Sequence, residues 1–284
     1  MNYFAVFTGS IVCSFGIAYV PHTAMVHAST FHQGWTYSLD ALDDGSGGPA
    51  YEIEGLAIKE TANDIYVSIT GGTALTGVET PDAEDGNIGW GDLLLNFTGT
   101  DLNSANGELW GMRFAATNDS GVSDVGLFRH VTAQSVAAVN NGYKSLTTYY
   151  GAGYGRDNTL GDIATEEAAL NYAGASTPVL SSISTGTLVG DIDFLSEAEA
   201  VEQGLDFAHF DVGTHHTHTV RFNRSLVPGG DFIASLFLEC INDGVALLSS
   251  FQEQPSQDVP EPSGLWGLGG LALLASRTLG RGKA

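Results

Sequence analysis

Ile65-Tyr66-Val67-Ser68-Ile69-Thr70 sets Ile65, Val67 and Ile69 on one side of an extended chain and Tyr66, Ser68 and Thr70 on the other. Successive strand side chains point to opposite faces, so this period of two predicts a half-buried β-strand. The same alternation appears at Trp110, Met112, Phe114 and Ala116, with Gly111, Arg113 and Ala115 opposite. Phe232, Ala234, Leu236 and Leu238 share a face while Ile233 and Phe237 occupy the other, the pattern of a strand central in its sheet. Pro228-Gly229 before it suits a type II turn, because proline fixes φ and glycine accepts a positive one. In residues 51–59 the alternation slips at Gly55, as a β-bulge allows.

Further strands are expected at residues 35–39, 93–97, 125–131, 136–139 and 217–222. The 37 glycines fall largely in Gly/Asn/Asp turns that recur every 10 to 15 positions or so, the spacing of many short strands. The fold expected is therefore all-β: one sandwich over residues 29–251, jelly-roll-like, with short peripheral helices. Ser196 and Glu199 form a capping box that opens one such helix, ending at Gly204. Residues 165–173 form another, with acidic residues in the first turn and Gly174 after it. Residues 140–158, with Tyr143, Tyr149, Tyr150 and Tyr154 among glycines, read as a long exposed loop.

Both ends differ from this body. Residues 4–20 are almost uninterrupted apolar, and Val26-His27-Ala28 offers a cleavage site, so residues 1–28 read as a secretory signal peptide. No Lys or Arg precedes the run, which leaves the α-amino group as the only positive charge there; a buried helix is the competing reading. Residues 252–258 form a polar linker. Beyond it come Val259-Pro260-Glu261-Pro262-Ser263, an apolar Gly/Leu segment from Gly264 to Ser276, and a basic tip of Arg277, Arg281 and Lys283. The apolar segment is shorter than the roughly 20 residues that span a bilayer. Its basic flank fits cytoplasmic retention, and the two prolines hold the preceding chain extended.

This order of motifs resembles the PEP-CTERM signal of exosortase-dependent surface proteins of Gram-negative bacteria. The resemblance implies exosortase as a partner, transient capture in the inner membrane, cutting near Pro260-Glu261-Pro262, and delivery to the cell surface or extracellular matrix. The body is similar to the XDD-type subgroup of such proteins, largely cyanobacterial. That similarity rests on residues 34–37, 43–48, 51–60, 86–92, 117–122 and 238–246. The subgroup brings an address and no activity.

Charge narrows the partners. Of ten Lys and Arg, three lie in the tail, and of 33 Asp and Glu only Glu261 does, so the body carries seven cationic residues against 32 acidic ones. Such a field repels phosphate backbones and argues against nucleic-acid binding. It attracts divalent cations, although acidity is also common among secreted bacterial proteins. Removal of Cys13 with the signal peptide leaves Cys240 alone, without an intrachain disulfide; between Leu238 and Ile241 it reads as a small buried hydrophobe.

Three constellations are candidates for chemistry. Asp40, Asp43 and Asp44, before Gly45-Ser46-Gly47-Gly48, place carboxylates on a flexible turn where Ca²⁺ finds oxygen ligands, or where Asp and Gly serve the turn alone. A second acidic turn, Asp82, Glu84, Asp85 and Asn87, is no closer to an EF-hand. On a strand His216 and His218 share a face and suit a transition metal, or they are its exposed end; His209 lies nearby in the chain. Trp90, between glycines and beside Asp92, is a candidate platform for a sugar ring, as are Tyr149 and Tyr150; a core position is the alternative for the tryptophan. No Gly-x-Ser-x-Gly elbow or glycine-rich phosphate loop occurs. The function expected is a structural or adhesive role associated with exopolysaccharide, with a carbohydrate-binding module as the main alternative and a polysaccharide hydrolase or lyase as a distant third.

Overall fold

The computed structural model describes residues 29–153, 160–213 and 215–253. The expected signal peptide and sorting segment lie outside the described residues. A meander of four strands starts the first sheet: β1 (Thr30–His32), β2 (Trp35–Leu39), β3 (Ile53–Glu60) and β4 (Asp64–Gly71). A small separate ribbon, β5 (Val78–Glu79) with β6 (Asn87–Ile88), leads into the second sheet. There β7 (Leu93–Asn96), β8 (Leu109–Arg113), β9 (Gly126–Gln134) and β10 (Ser182–Gly190) form another meander. The chain then returns, adding β11 (Asp193–Leu195) and β12 (His216–Asn223) beside β4, and crosses once more to add β13 (Gly230–Phe237) and β14 (Gly244–Phe251) beside β7.

The result is the expected all-β sandwich, two six-stranded sheets in the orders β1-β2-β3-β4-β12-β11 and β10-β9-β8-β7-β13-β14. Successive strands mostly stay within one sheet; the passages between sheets that give a jelly roll its character fall after β4, β10 and β12. Between the sheets Leu56, Ile58, Ile65, Val67, Ile69, Val220 and Phe222 meet Leu93, Leu95, Met112, Leu127, Phe232, Leu236 and Leu247 in one buried cluster. Truncating one of these large aliphatic side chains to alanine costs about 2–5 kcal/mol.

Each sheet is also covered on its outer face. Outside the first sheet, Trp35, Tyr37, Ala57 and Tyr66 pack under Ala200, Leu205, Phe207 and Val212. Ala200 belongs to α3 (Glu197–Glu202) and Phe207 to the 3₁₀ turn Phe207–Phe210, with Leu205 and Val212 in the chain on either side of that turn. Outside the second sheet, Leu94, Phe128, Ile183 and Phe237 pack against Leu146, Tyr149, Ala169 and Tyr172 of α1 (Leu146–Gly151) and α2 (Glu166–Ala173). The half-buried strand expected at residues 65–70 is therefore buried on both faces. Its polar face is satisfied by cross-strand pairing, Ser68 Oγ lying 2.8 Å from Thr219 Oγ1 on β12.

The expected capping box on Ser196 is present, and the helix expected at residues 165–173 is α2, capped by the Thr165 side chain. The slip near Gly55 is a register shift between β3 and β4. Two expectations fail. Residues 136–139 form a turn, with Val139 N donating to Val136 O at 3.2 Å and Gly142 N to Ala137 O at 2.7 Å. Asn141, at φ 50°, continues that reversal where a strand would need extended backbone. The tyrosine region is not one exposed loop either: Ser145 and Thr148 make a capping box that starts α1, and Tyr149 is buried.

Candidate metal centre

The Asp-rich turn is organised from inside the protein. Asp40 extends the pairing of β2 with β3, donating its amide to Glu54 O at 3.1 Å. Asp43 then takes a left-handed φ of 66° and reverses the chain. The Glu52 carboxylate accepts from Asp43 N at 2.8 Å and from Gly45 N at 3.0 Å, holding the turn closed. Only glycine fits at position 45, because a Cβ there would stand 2.6 Å from Glu52 Oε2 and 2.8 Å from Tyr51 O.

From this turn Ser46 N donates to Asn242 O at 2.8 Å, tying it to the connection between β13 and β14. Asp243 in that connection accepts from Ile53 N at 2.6 Å through one carboxylate oxygen and from Gly244 N at 2.7 Å through the other. The Tyr149 hydroxyl donates to Asp44 O at 2.7 Å, and Asp40 accepts from Gly161 N at 3.1 Å. Four segments, distant in sequence, thus converge between the end of β2 and the β13–β14 turn, one from each sheet.

Their convergence places a carboxylate oxygen from each of Asp40, Asp44 and Asp243 within 4.8 Å of the others. All three residues are buried, Asp44 to 4 % exposure and Asp243 to 2 %. Both Asp44 carboxylate oxygens are buried without a hydrogen-bond partner among the described residues. Burial, and then the charge of Glu52, pushes the Asp44 carboxyl up to about 7. Burial, followed by Asp44, raises Asp40 well above the usual carboxylate range; burial, followed by Asp40 and Asp44, does the same for Asp243. Beside them the Tyr150 hydroxyl, buried and lacking a partner among the described residues, is raised by burial first and by Asp40 second.

Three carboxylates in so small a volume have two stable states. They can hold protons, or they can hold a cation whose charge replaces the protons. Oxygens on opposite sides of a Ca²⁺ ion, at 2.3–2.6 Å from it, stand about 5 Å apart, whereas around Mg²⁺ they stand about 4 Å apart. Carboxylate oxygens within 4.8 Å of one another can share one such ion, and carbonyls or water can complete a flexible shell of six to eight oxygens around Ca²⁺. Asp40 and Asp44 were legible in the sequence as candidate ligands. Asp43 was expected with them, but its side chain is exposed on the outside of the turn and belongs to no such group. Asp243 was missed, because only the folded topology brings it to a turn some 200 residues earlier. At the second acidic turn Asp85 accepts from Asn87 N at 2.9 Å, a local and exposed use of Asp in shaping backbone.

The aromatic candidates must be revised. Trp90 is fully buried, its indole N–H donating to Thr73 O at 3.1 Å and its ring 6.3 Å from that of Phe114, so it offers no face to a sugar. Flanking glycines suggested exposure, but Gly91 is required by close backbone approach: a Cβ there would lie 2.2 Å from Ser181 O. Tyr149 is 1 % exposed and Tyr150 half-buried with its hydroxyl enclosed, so neither is a stacking platform. An open cleft of about 430 Å³ lies beside the carboxylates instead, lined by Tyr51, Tyr143, Asn140, Asn141, Asn242 and Asp82 among others.

His216 and His218 do share a face of β12, their rings 8° from parallel and 6.1 Å apart. His218 is half-buried against Trp90, its Nε2 3.3 Å from Thr73 O, and burial lowers its basicity. No third ligand joins the pair among the described residues. Cys240 is buried, and burial pushes its thiol up to about 12, the state of an inert core residue. Comparison with protein-family models, with curated proteins and with solved structures finds no match.

Proposed function

We propose that the chain is an exported cell-surface or extracellular-matrix protein, sorted by exosortase through Val259-Pro260-Glu261-Pro262-Ser263, with a non-catalytic structural or adhesive role in association with exopolysaccharide. The observation that carries the structural role is the Asp40/Asp44/Asp243 group with its orphaned Asp44 carboxylate. A buried acid without a partner among the described residues can take up a cation in place of a proton, and extracellular modules commonly hold Ca²⁺ at 10⁻⁴–10⁻³ M or so. An ion at this point ties the first sheet to the second, a brace suited to a protein exposed to shear and dilution. The acidic surface supports the same reading, since calcium bridges acidic proteins to acidic polysaccharides.

Co-sedimentation with the producer's own exopolysaccharide, in calcium and in EDTA, tests this role. Saturable binding that EDTA abolishes supports it; absence of binding in both conditions contradicts an exopolysaccharide association. A second reading, recognition of a defined glycan, is favoured by the Tyr51/Tyr143 cleft with its amide lining. Under that reading Tyr143→Ala removes saturable sugar binding from a folded protein, whereas the structural role tolerates the change.

A further inference from the structure

A second cluster of ligating side chains lies at the opposite flank, on the outer face of the first sheet. Gln33 and Gly34 both have positive φ, 48° and 86°, and make the two-residue turn joining β1 to β2. That tight turn fixes His32 and Gln33 at the edge of the sheet. Opposite them the 3₁₀ turn Phe207–Phe210 is capped by Asp206, whose Oδ1 accepts from His209 N at 3.1 Å. The cap leaves Asp206 Oδ2 directed at the hairpin, 3.3 Å from His32 Nε2 and 3.3 Å from the Gln33 side-chain amide. His32 and His209 lie face to face, ring centroids 4.0 Å apart and planes 4° from parallel. One ligand atom from each of His32, Asp206 and His209 falls within a 4.8 Å group.

The two segments are held together by contacts that do not use the ligating side chains. Trp35 Nε1 donates to Gln203 O at 3.0 Å, Lys59 Nζ donates to the same carbonyl at 2.6 Å, and Asp206 N donates to the Tyr37 hydroxyl at 2.9 Å. The Phe210 ring stands edge-on to both imidazoles, at 5.8 Å from His32 and 4.8 Å from His209. The cluster is thus positioned by the fold before any ion arrives.

We propose that His32, His209 and Asp206 form a binding site for a first-row transition cation of the Zn²⁺ type, with Gln33 or water as fourth ligand. Two imidazole nitrogens and a carboxylate suit Zn²⁺, whose tetrahedral ligands at 2.0–2.2 Å stand about 3.3 Å apart. The 3.3 Å between His32 Nε2 and Asp206 Oδ2 matches that separation, and a tilt of the two rings from parallel aims both nitrogens at one point. Rotating the Gln33 amide exchanges its NH₂ for its carbonyl oxygen and turns a donor beside His32 into a ligand. The ion pins β1, the edge strand nearest the N-terminal segment, to the turn that covers the sheet. This is independent of the carboxylate centre, which offers oxygen ligands alone.

Zinc titration of the untagged full-length chain, followed by calorimetry and by the melting temperature, tests the site. One Zn²⁺ per chain and a raised melting temperature are expected. His32→Ala and His209→Ala each weaken binding at least tenfold, while the exposed His216→Ala leaves it unchanged; circular dichroism confirms that the variants are folded. Co²⁺ in place of Zn²⁺ should give the visible absorption of a tetrahedral site, and His209→Ala should remove it. Absence of stoichiometric zinc binding, or binding lost in His216→Ala and retained in His209→Ala, overturns the assignment.

Discussion

Asp92 and Asp44 are both acidic residues buried in the same sandwich, and their surroundings are opposite. Asp92 accepts from Ile183 N at 2.7 Å, Asn118 Nδ2 at 2.8 Å and Ser120 Oγ at 2.8 Å. Asn118 in turn accepts from Arg113 Nε at 2.9 Å, and the remaining Arg113 donors reach backbone carbonyls, including Ala116 O at 2.8 Å. Burial still raises the Asp92 carboxyl, but each of those hydrogen bonds, and the nearby Arg113, pulls it back. Asp44 has no such shell among the described residues, and the charge of Glu52 adds to burial in raising it. The first acid is closed by protein; the second has no hydrogen-bond partner among the described residues. Burial of a carboxylate is therefore a poor guide to a site on its own, and the partner inventory distinguishes the two cases.

Substituting each acid separates them most strongly. Asp92→Ala strands the Ile183 amide, Asn118 and Ser120, and should cost about 4 kcal/mol in urea unfolding, equally in calcium and in EDTA. A loss that calcium relieved would mean that Asp92, too, serves an ion. Asp44→Asn should act with opposite signs in the two conditions. In EDTA it removes like-charge repulsion and stabilises by about 1 kcal/mol. In calcium at a hundred times its dissociation constant the native chain gains about 2.7 kcal/mol and the variant gains nothing.

The dependence on pH tests the same carboxyl without a substitution. A carboxyl raised from its unfolded value near 4 to about 7 binds more protons in the folded state than in the unfolded one across that interval. Its contribution to stability is complete below the lower value and is lost as pH rises through the upper. Between pH 5 and pH 8 the metal-free protein should lose roughly 5 °C of melting temperature, and saturating calcium should abolish the loss. A rise with pH in EDTA would contradict the raised carboxyl.

The sequence made the sheets legible wherever a strand has one continuous apolar face, as at Ile65, Val67 and Ile69 or at Phe232, Ala234 and Leu236. It was less clear where both faces are covered. Trp90 and Tyr149 looked exposed because what buries them is tertiary: Trp90 packs against Phe114 and donates to Thr73 O, and Tyr149 lies on the helix α1 that packs onto the outer face of the second sheet. Strand β10, rich in Ser, Thr and Gly, has little apolar periodicity and owes its place to pairing with β9. Of the carboxylate centre, Asp40 and Asp44 were visible as a pair on one turn. Their third member could not be, because the proximity of Asp243 follows from where β13 turns into β14 and from the Ile53 amide that it accepts.

Calcium titration of the purified chain by calorimetry, beside its Asp44→Asn variant, tests the central claim most directly. One Ca²⁺ per native chain at millimolar or lower concentration, with no binding by the variant, is the predicted result. Native protein that takes up no calcium, or a variant that binds it as tightly as the native chain, would contradict the account.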